Sequence, residues 1–236
     1  MFVSILGDSL STYEGYNPDG YEVFYDKNMQ EWNDIRCVND TWWMKVIQKL
    51  HANLCVNNSF SGSMVSGHEF PSACCQERLM NLRTGECTPD LILIYIGFND
   101  FGCGVPISCV PMRNDGSISL DCFEDAYCQM LTGLRYYYPK AKIVCATLLR
   151  TTMEYDGSWI FPDRLGGISI DEYNEAIRRA AAYCHVALAD LAKRHLDFSK
   201  LAFCDRRYKT LDGTHATAKG HQEIADQWIG CLSKIL

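Results

Sequence analysis

Apolar and polar positions along this chain switch between two rhythms. Short, nearly unbroken apolar runs fall at residues 2–6, 52–56, 91–96, 142–147 and 186–189. The third is almost continuous in Leu and Ile, which is what a strand covered on both faces requires. Between the runs the period lengthens to that of an amphipathic helix. Trp43, Val46, Ile47 and Leu50 share one face behind Asp40, a candidate N-cap. Asp121 with Glu124 makes a capping-box-like start for a helix buried through Phe123, Tyr127, Leu131 and Leu134. Ser169 with Glu172 repeats that signal ahead of Tyr173, Ile177, Ala180 and Cys184, and a last helix after Thr217 buries Ile224, Ala225, Trp228 and Leu232.

Strands alternating with helices predict βαβ units on a parallel sheet. No repeat, low-complexity tract or linker interrupts the pattern, so residues 1–236 read as one α/β domain. Three connections are long, at residues 10–39, 98–119 and 148–168. Each follows a strand, so all three emerge at the carboxyl edge of the sheet, where open α/β folds place their ligands.

Composition narrows the classes. A chain with 47% apolar and 22% charged residues is globular. A net charge of -7 without a Lys/Arg cluster argues against a nucleic-acid surface. No apolar run spans a bilayer and no leader follows Met1, so a cytoplasmic location is the expectation. The 13 cysteines are scattered, with no Cys-x-x-Cys pair. Cys55, Cys145, Cys184 and Cys231 lie in apolar runs and read as reduced core residues, with Cys103 and Cys109 the pair expected to depart from that.

The candidate chemistry comes from four separate stretches. Gly7-Asp8-Ser9-Leu10 puts a hydroxyl just past the first strand. A serine is a poor nucleophile until an imidazole takes its proton. Asp212-Gly213-Thr214-His215, ahead of the last helix, supplies that imidazole, with Asp212 placed to hold its other nitrogen. Gly62 offers a backbone N–H that no Cβ obstructs, and Asn99 offers a side-chain amide. With the Ser9 N–H they could form a three-donor oxyanion pocket.

In these blocks the sequence resembles the SGNH hydrolases, the GDSL lipase/acylhydrolase family. The Ser, Gly, Asn and His of its name fall on Ser9, Gly62 (in Asn57-Asn58-Ser59-Phe60-Ser61-Gly62), Asn99 (in Gly97-Phe98-Asn99-Asp100) and His215, in the family's order. The resemblance implies a flavodoxin-like three-layer α/β/α sandwich on a five-stranded parallel sheet. It also implies ester hydrolysis by Ser9, His215 and Asp212, with Ser9, Gly62 and Asn99 as the oxyanion hole. Two positions depart from the family pattern: Ser59 stands where a glycine is frequent, and Ala216 where a proline is common.

No Gly-x-Ser-x-Gly elbow is present, which disfavours an ordinary α/β-hydrolase. A metal site from Asp8, Asp100, Asp212 and His215 is disfavoured by the lack of closely spaced ligands, and no cofactor is expected. The first long loop carries Tyr13, Tyr16, Tyr21, Phe24, Tyr25 and Trp32, and the third carries Tyr155, Trp159 and Phe161. Rings stack on sugars and line acyl pockets. Asp8, Asp100, Tyr13, Tyr155 and Trp159 are therefore candidate substrate contacts, and at least half of the first loop's rings are expected to pack inward. The reading is a serine esterase acting on a short acyl group, carried by a small molecule or an O-acetylated glycan. A thioesterase, a lysophospholipase and a non-catalytic binding module are the alternatives; the oligomeric state stays open.

Overall fold

A computed structural model describes residues 1–108, 118–149, 153–155, 158–160, 169–193 and 214–236, with backbone alone at 31–32, 153–155 and 158–160. In chain order the elements are β1 (Phe2–Gly7), α1 (Gln30–Asn33), α2 (Trp42–Lys49), β2 (Asn53–Ser59), α3 (Gln76–Met80), β3 (Leu91–Tyr95), α4 (Phe98–Gly102), α5 (Phe123–Tyr137), β4 (Lys142–Ala146), β5 (Met153–Tyr155), β6 (Ser158–Ile160), α6 (Ile170–Tyr183), β7 (Ala187–Ala189) and a final helix, α7 (Ala218–Ile235). Five strands form one parallel sheet in the order β2-β1-β3-β4-β7. β5 and β6 pair antiparallel as a separate hairpin.

All five residues of β3 are buried, as the continuous apolar run required. The chain leaves β1 in one direction and β3 in the other, so right-handed crossovers put helices on both faces. α2 packs on α7, while α3 and α6 pack on α5. Phe123, Ala126, Tyr127, Met130, Leu131 and Leu134 form the buried stripe of α5. Each large side chain in such a stripe contributes roughly 1.5–3 kcal/mol when fully buried. The expected three-layer, flavodoxin-like sandwich is the observed fold.

Local details differ from the sequence reading for identifiable reasons. α2 is capped by Thr41, whose hydroxyl accepts the Met44 amide, rather than by Asp40, which sits in a preceding 3-10 turn. α5 starts one residue later than expected, with Cys122 at its N-cap and no side-chain cap, and Asp121 contacts His68 at 3.1 Å. The Ser169–Glu172 capping box and the Thr217 cap are both present. The hairpin within the third long loop was not foreseen; strands of three residues are too short to show a period.

Cys55 is no free core thiol: it is bonded to Cys87 across 32 residues. Cys122 is also disulfide-bonded, whereas Cys103 is free and exposed. Among the described residues, no helix is long and apolar enough to cross a membrane.

Candidate active site

The strand order reverses between β1 and β3, and the crevice at their carboxyl ends receives three loops. Gly7, the last residue of β1, must be glycine. A Cβ there meets Ser11 Oγ at 2.6 Å and Ser59 Oγ at 2.9 Å. That close approach tucks the next residues into a tight 3-10 turn, Ser9–Ser11, with Asp8 as its N-cap. Asp8 accepts the Leu10 amide at 3.1 Å, and the turn presents Ser9, 8% exposed, to the crevice.

His215 reaches Ser9 from 206 positions away. Its Nε2 lies 2.8 Å from Ser9 Oγ, a hydrogen bond in the geometry a base needs to take the serine proton. Asp212, expected to orient the imidazole, lies outside the described residues.

The first long loop holds the histidine from behind. Phe24 stacks on the imidazole with ring centroids 3.4 Å apart and planes 8° from parallel. The Tyr25 hydroxyl donates to the Ala216 carbonyl at 3.1 Å, so the turn that lacks a proline is pinned by a buried phenol. Asp34 accepts the Ala218 amide at 2.8 Å, and His221 Nδ1 accepts the Trp42 amide at 3.0 Å. Burial pushes His221 down to about 3, so it stays neutral and serves as that acceptor.

The expected oxyanion donors stand on the loops around this crevice. Gly62 lies at φ +80°, a left-handed turn conformation that favours glycine. The Ser9 and Gly62 N–H groups have no hydrogen-bond partner among the described residues. Asn99 gives one amide hydrogen to the Ser63 carbonyl at 2.9 Å, which leaves the second available.

Asp100 makes this arrangement rigid. It is fully buried and accepts the Val65 and Ser66 amides at 2.7 and 2.9 Å, which staples the loop carrying Gly62 to α4. Asp8 is fully buried too. Neither side chain is open to solvent, and both oxygens of Asp100 are taken by backbone amides.

Tyr13 is half-buried against Tyr16 at 5.9 Å, with its amide held by Asn17. Tyr155 and Trp159 sit on the β5–β6 hairpin, and their side chains lie outside what is described. Tyr25, Trp42 and Trp43 pack fully inward, while Tyr16 stays 41% exposed.

Sequence reading named Phe24 only as one ring of the first loop and missed Thr12 and Arg78. The last is a buried guanidinium that donates to Asn58 Oδ1 at 2.5 Å and to the carbonyls of Pro71, Asn58 and Gly7 at 2.6, 2.9 and 3.1 Å. It ties the end of β1 to the end of β2, directly beneath the serine turn. Burial lowers its pKa to about 10, so it remains charged.

Burial raises the Asp8 carboxyl to about 7, opposed by the Leu10 amide and the nearby His215 ring. Asp100 is also raised by burial, against its two amide bonds. For Asp8 the folded value lies above the unfolded 3.8, so the native state binds the extra proton between the two. Stability therefore falls as pH rises across that window. At ~1.4 kcal/mol per unit the full effect is on the order of 4 kcal/mol. Asp8→Asn is expected to flatten the decline of melting temperature between about pH 4 and 7, and to melt higher than wild type at pH 8. Superimposable melting curves for the two proteins across that range would refute this.

An open doubly wound sheet with a serine hydroxyl and an imidazole in contact at its switch point is a framework on which a hydrolase can be built. The family described as GDSL-like Lipase/Acylhydrolase matches residues 1–158, and the chain belongs to it. That match holds Ser9, Gly62 and Asn99 and stops short of His215. Two GDSL-like lipase structures resemble the whole chain. One, from Bacteroides uniformis ATCC 8492, shares 26% identity over 99% of this chain and 95% of its own, with a TM-score of 0.71. The other, from Bacteroides ovatus ATCC 8483, shares 25% identity over 99% and 98%, with a TM-score of 0.69. A family 3 carbohydrate esterase from Clostridium thermocellum shares the fold, at 13% identity over 99% and 96% and a TM-score of 0.59. No curated protein sequence matches the chain.

Proposed function

We propose that this hydrolase is a serine esterase that removes a short acyl group, O-acetyl on a carbohydrate being the favoured case, through an acyl-enzyme intermediate. The observation that carries the reading is the 2.8 Å contact between His215 Nε2 and Ser9 Oγ. As Oγ attacks the ester carbonyl, its proton passes to Nε2. The negative charge then developing on the carbonyl oxygen falls to the N–H donors of Ser9, Gly62 and Asn99. Collapse of that intermediate expels the alcohol, which takes the proton back from His215. Water, activated by the same imidazole, then releases the acid and restores the serine. Asp212 is assigned the orienting carboxylate from its place three residues before the histidine.

The carbohydrate preference is supported by the half-buried and exposed rings of the first loop and by the fold shared with a carbohydrate esterase. A panel of acetylated xylo- and gluco-oligosaccharides against p-nitrophenyl esters of two to twelve carbons tests it. Acetate esters are expected to give a kcat/KM at least about tenfold above esters of eight carbons or more. A rise with chain length, or a preference for acyl-CoA or lysophospholipid, defeats the substrate assignment. Covalent labelling by a fluorophosphonate probe, absent in Ser9→Ala, separates an enzyme from a binding module.

A further inference from the structure

Nucleophile and base are joined a second time, by a route that avoids the reacting atoms. The Thr12 hydroxyl donates to the Ser9 carbonyl at 2.9 Å and accepts the Phe24 amide at 2.9 Å. Phe24 in turn stacks face to face on His215, whose Nε2 returns to Ser9 Oγ. The path Ser9–Thr12–Phe24–His215–Ser9 is therefore closed. Thr12 is fully buried, so no water competes for either of its bonds. The next residue, Tyr25, grips Ala216, so the pair 24–25 holds the pair 215–216 at two points.

Resting on the esterase reading, we propose that Thr12 and Phe24 are positioning residues that set the Ser9–His215 separation and favour the imidazolium formed in the transition state. Two physical effects support this. Fixing the base behind the nucleophile retains the near-attack geometry, and a misplacement of about 1 Å can cost about a hundredfold in rate. The face of a phenyl ring carries partial negative charge and attracts a cation more than a neutral ring. Phe24 therefore binds the protonated imidazole more strongly than the resting one. Such a differential raises kcat rather than lowering KM.

The test uses p-nitrophenyl acetate with wild type, Ser9→Ala, Thr12→Val, Thr12→Ser and Phe24→Leu. Valine keeps the shape of threonine and deletes both hydrogen bonds. Thr12→Val is expected to lose about tenfold or more in kcat with KM within about twofold, and Thr12→Ser to recover to within about threefold of wild type. Phe24→Leu is expected to lose about three- to thirtyfold in kcat with KM within about twofold.

Active sites are counted by fluorophosphonate titration, so a partly unfolded variant is not mistaken for a slow one. Should Thr12→Val fail to fold, Phe24→Leu carries the test, because its ring is only half-buried. Wild-type kcat per titrated site in both Thr12→Val and Phe24→Leu, with Ser9→Ala inactive, overturns the positioning roles and leaves the esterase reading standing. Ser9→Ala as active as wild type overturns both.

Discussion

Ser9→Ala is expected to lower hydrolysis of p-nitrophenyl acetate by a factor on the order of 10⁴ or more, with the melting temperature nearly unchanged. The magnitude follows from what is removed. Without Oγ there is no covalent intermediate, and the imidazole at 2.8 Å has no hydroxyl to activate. What survives on the proposed mechanism is the full set of N–H donors, the backbone amides of residues 9 and 62 and the Asn99 side chain, which can still favour attack by water. His215→Ala is expected to fall nearly as far, since an unactivated serine is a poor nucleophile. The double variant should be little worse than either single one, because residues that act as a unit are not additive. Single-turnover and steady-state rates on the three variants check this. Losses that multiply in the double variant would show that the two groups act independently.

Arg78→Met is expected to be the most damaging single change to stability, at about 3–5 kcal/mol. The guanidinium is wholly buried and makes all four of its hydrogen bonds to oxygens of Asn58, Pro71 and Gly7. Methionine fills much of the volume and leaves Asn58 Oδ1 and the Pro71 carbonyl without the donors they have here, while the Gly7 carbonyl keeps the Phe60 amide. Total stabilities of such domains are about 5–15 kcal/mol, so the loss is a large share. Arg78→Lys is expected to rescue little, since an ammonium cannot reproduce the planar fork. Urea melts followed by circular dichroism measure both. A lysine variant within about 1 kcal/mol of wild type would mean that charge, and not the fork, holds the two strand ends together.

The strands were readable because burial on both faces writes an unbroken apolar run, as at β3. Helix starts were harder, since a cap depends on which polar side chain is left free to turn back. Asp121 contacts His68 rather than capping α5, and Thr41 caps α2 in place of Asp40. Of the candidate site, the Ser9–His215 contact was legible because four short blocks in a fixed order carry a family resemblance that no single block does. Thr12 and Phe24 carry no local signal. Their roles arise from one buried hydroxyl and one stacked ring that meet only after distant segments have closed. Arg78 is hidden for the same reason, since all its acceptors are brought together by tertiary structure. The Cys55–Cys87 bond needed a spatial fact, a Cα separation of 5.9 Å, that spacing along the chain does not encode.

The 206-residue gap between hydroxyl and imidazole has a bearing on the life of the polypeptide as it leaves the ribosome. All five strands of the central sheet precede residue 190, so a nascent chain carries them and its serine before His215 has been made. On the proposed mechanism turnover starts only once the stretch carrying it has docked, so esterase output would be a timer for completion of the native state.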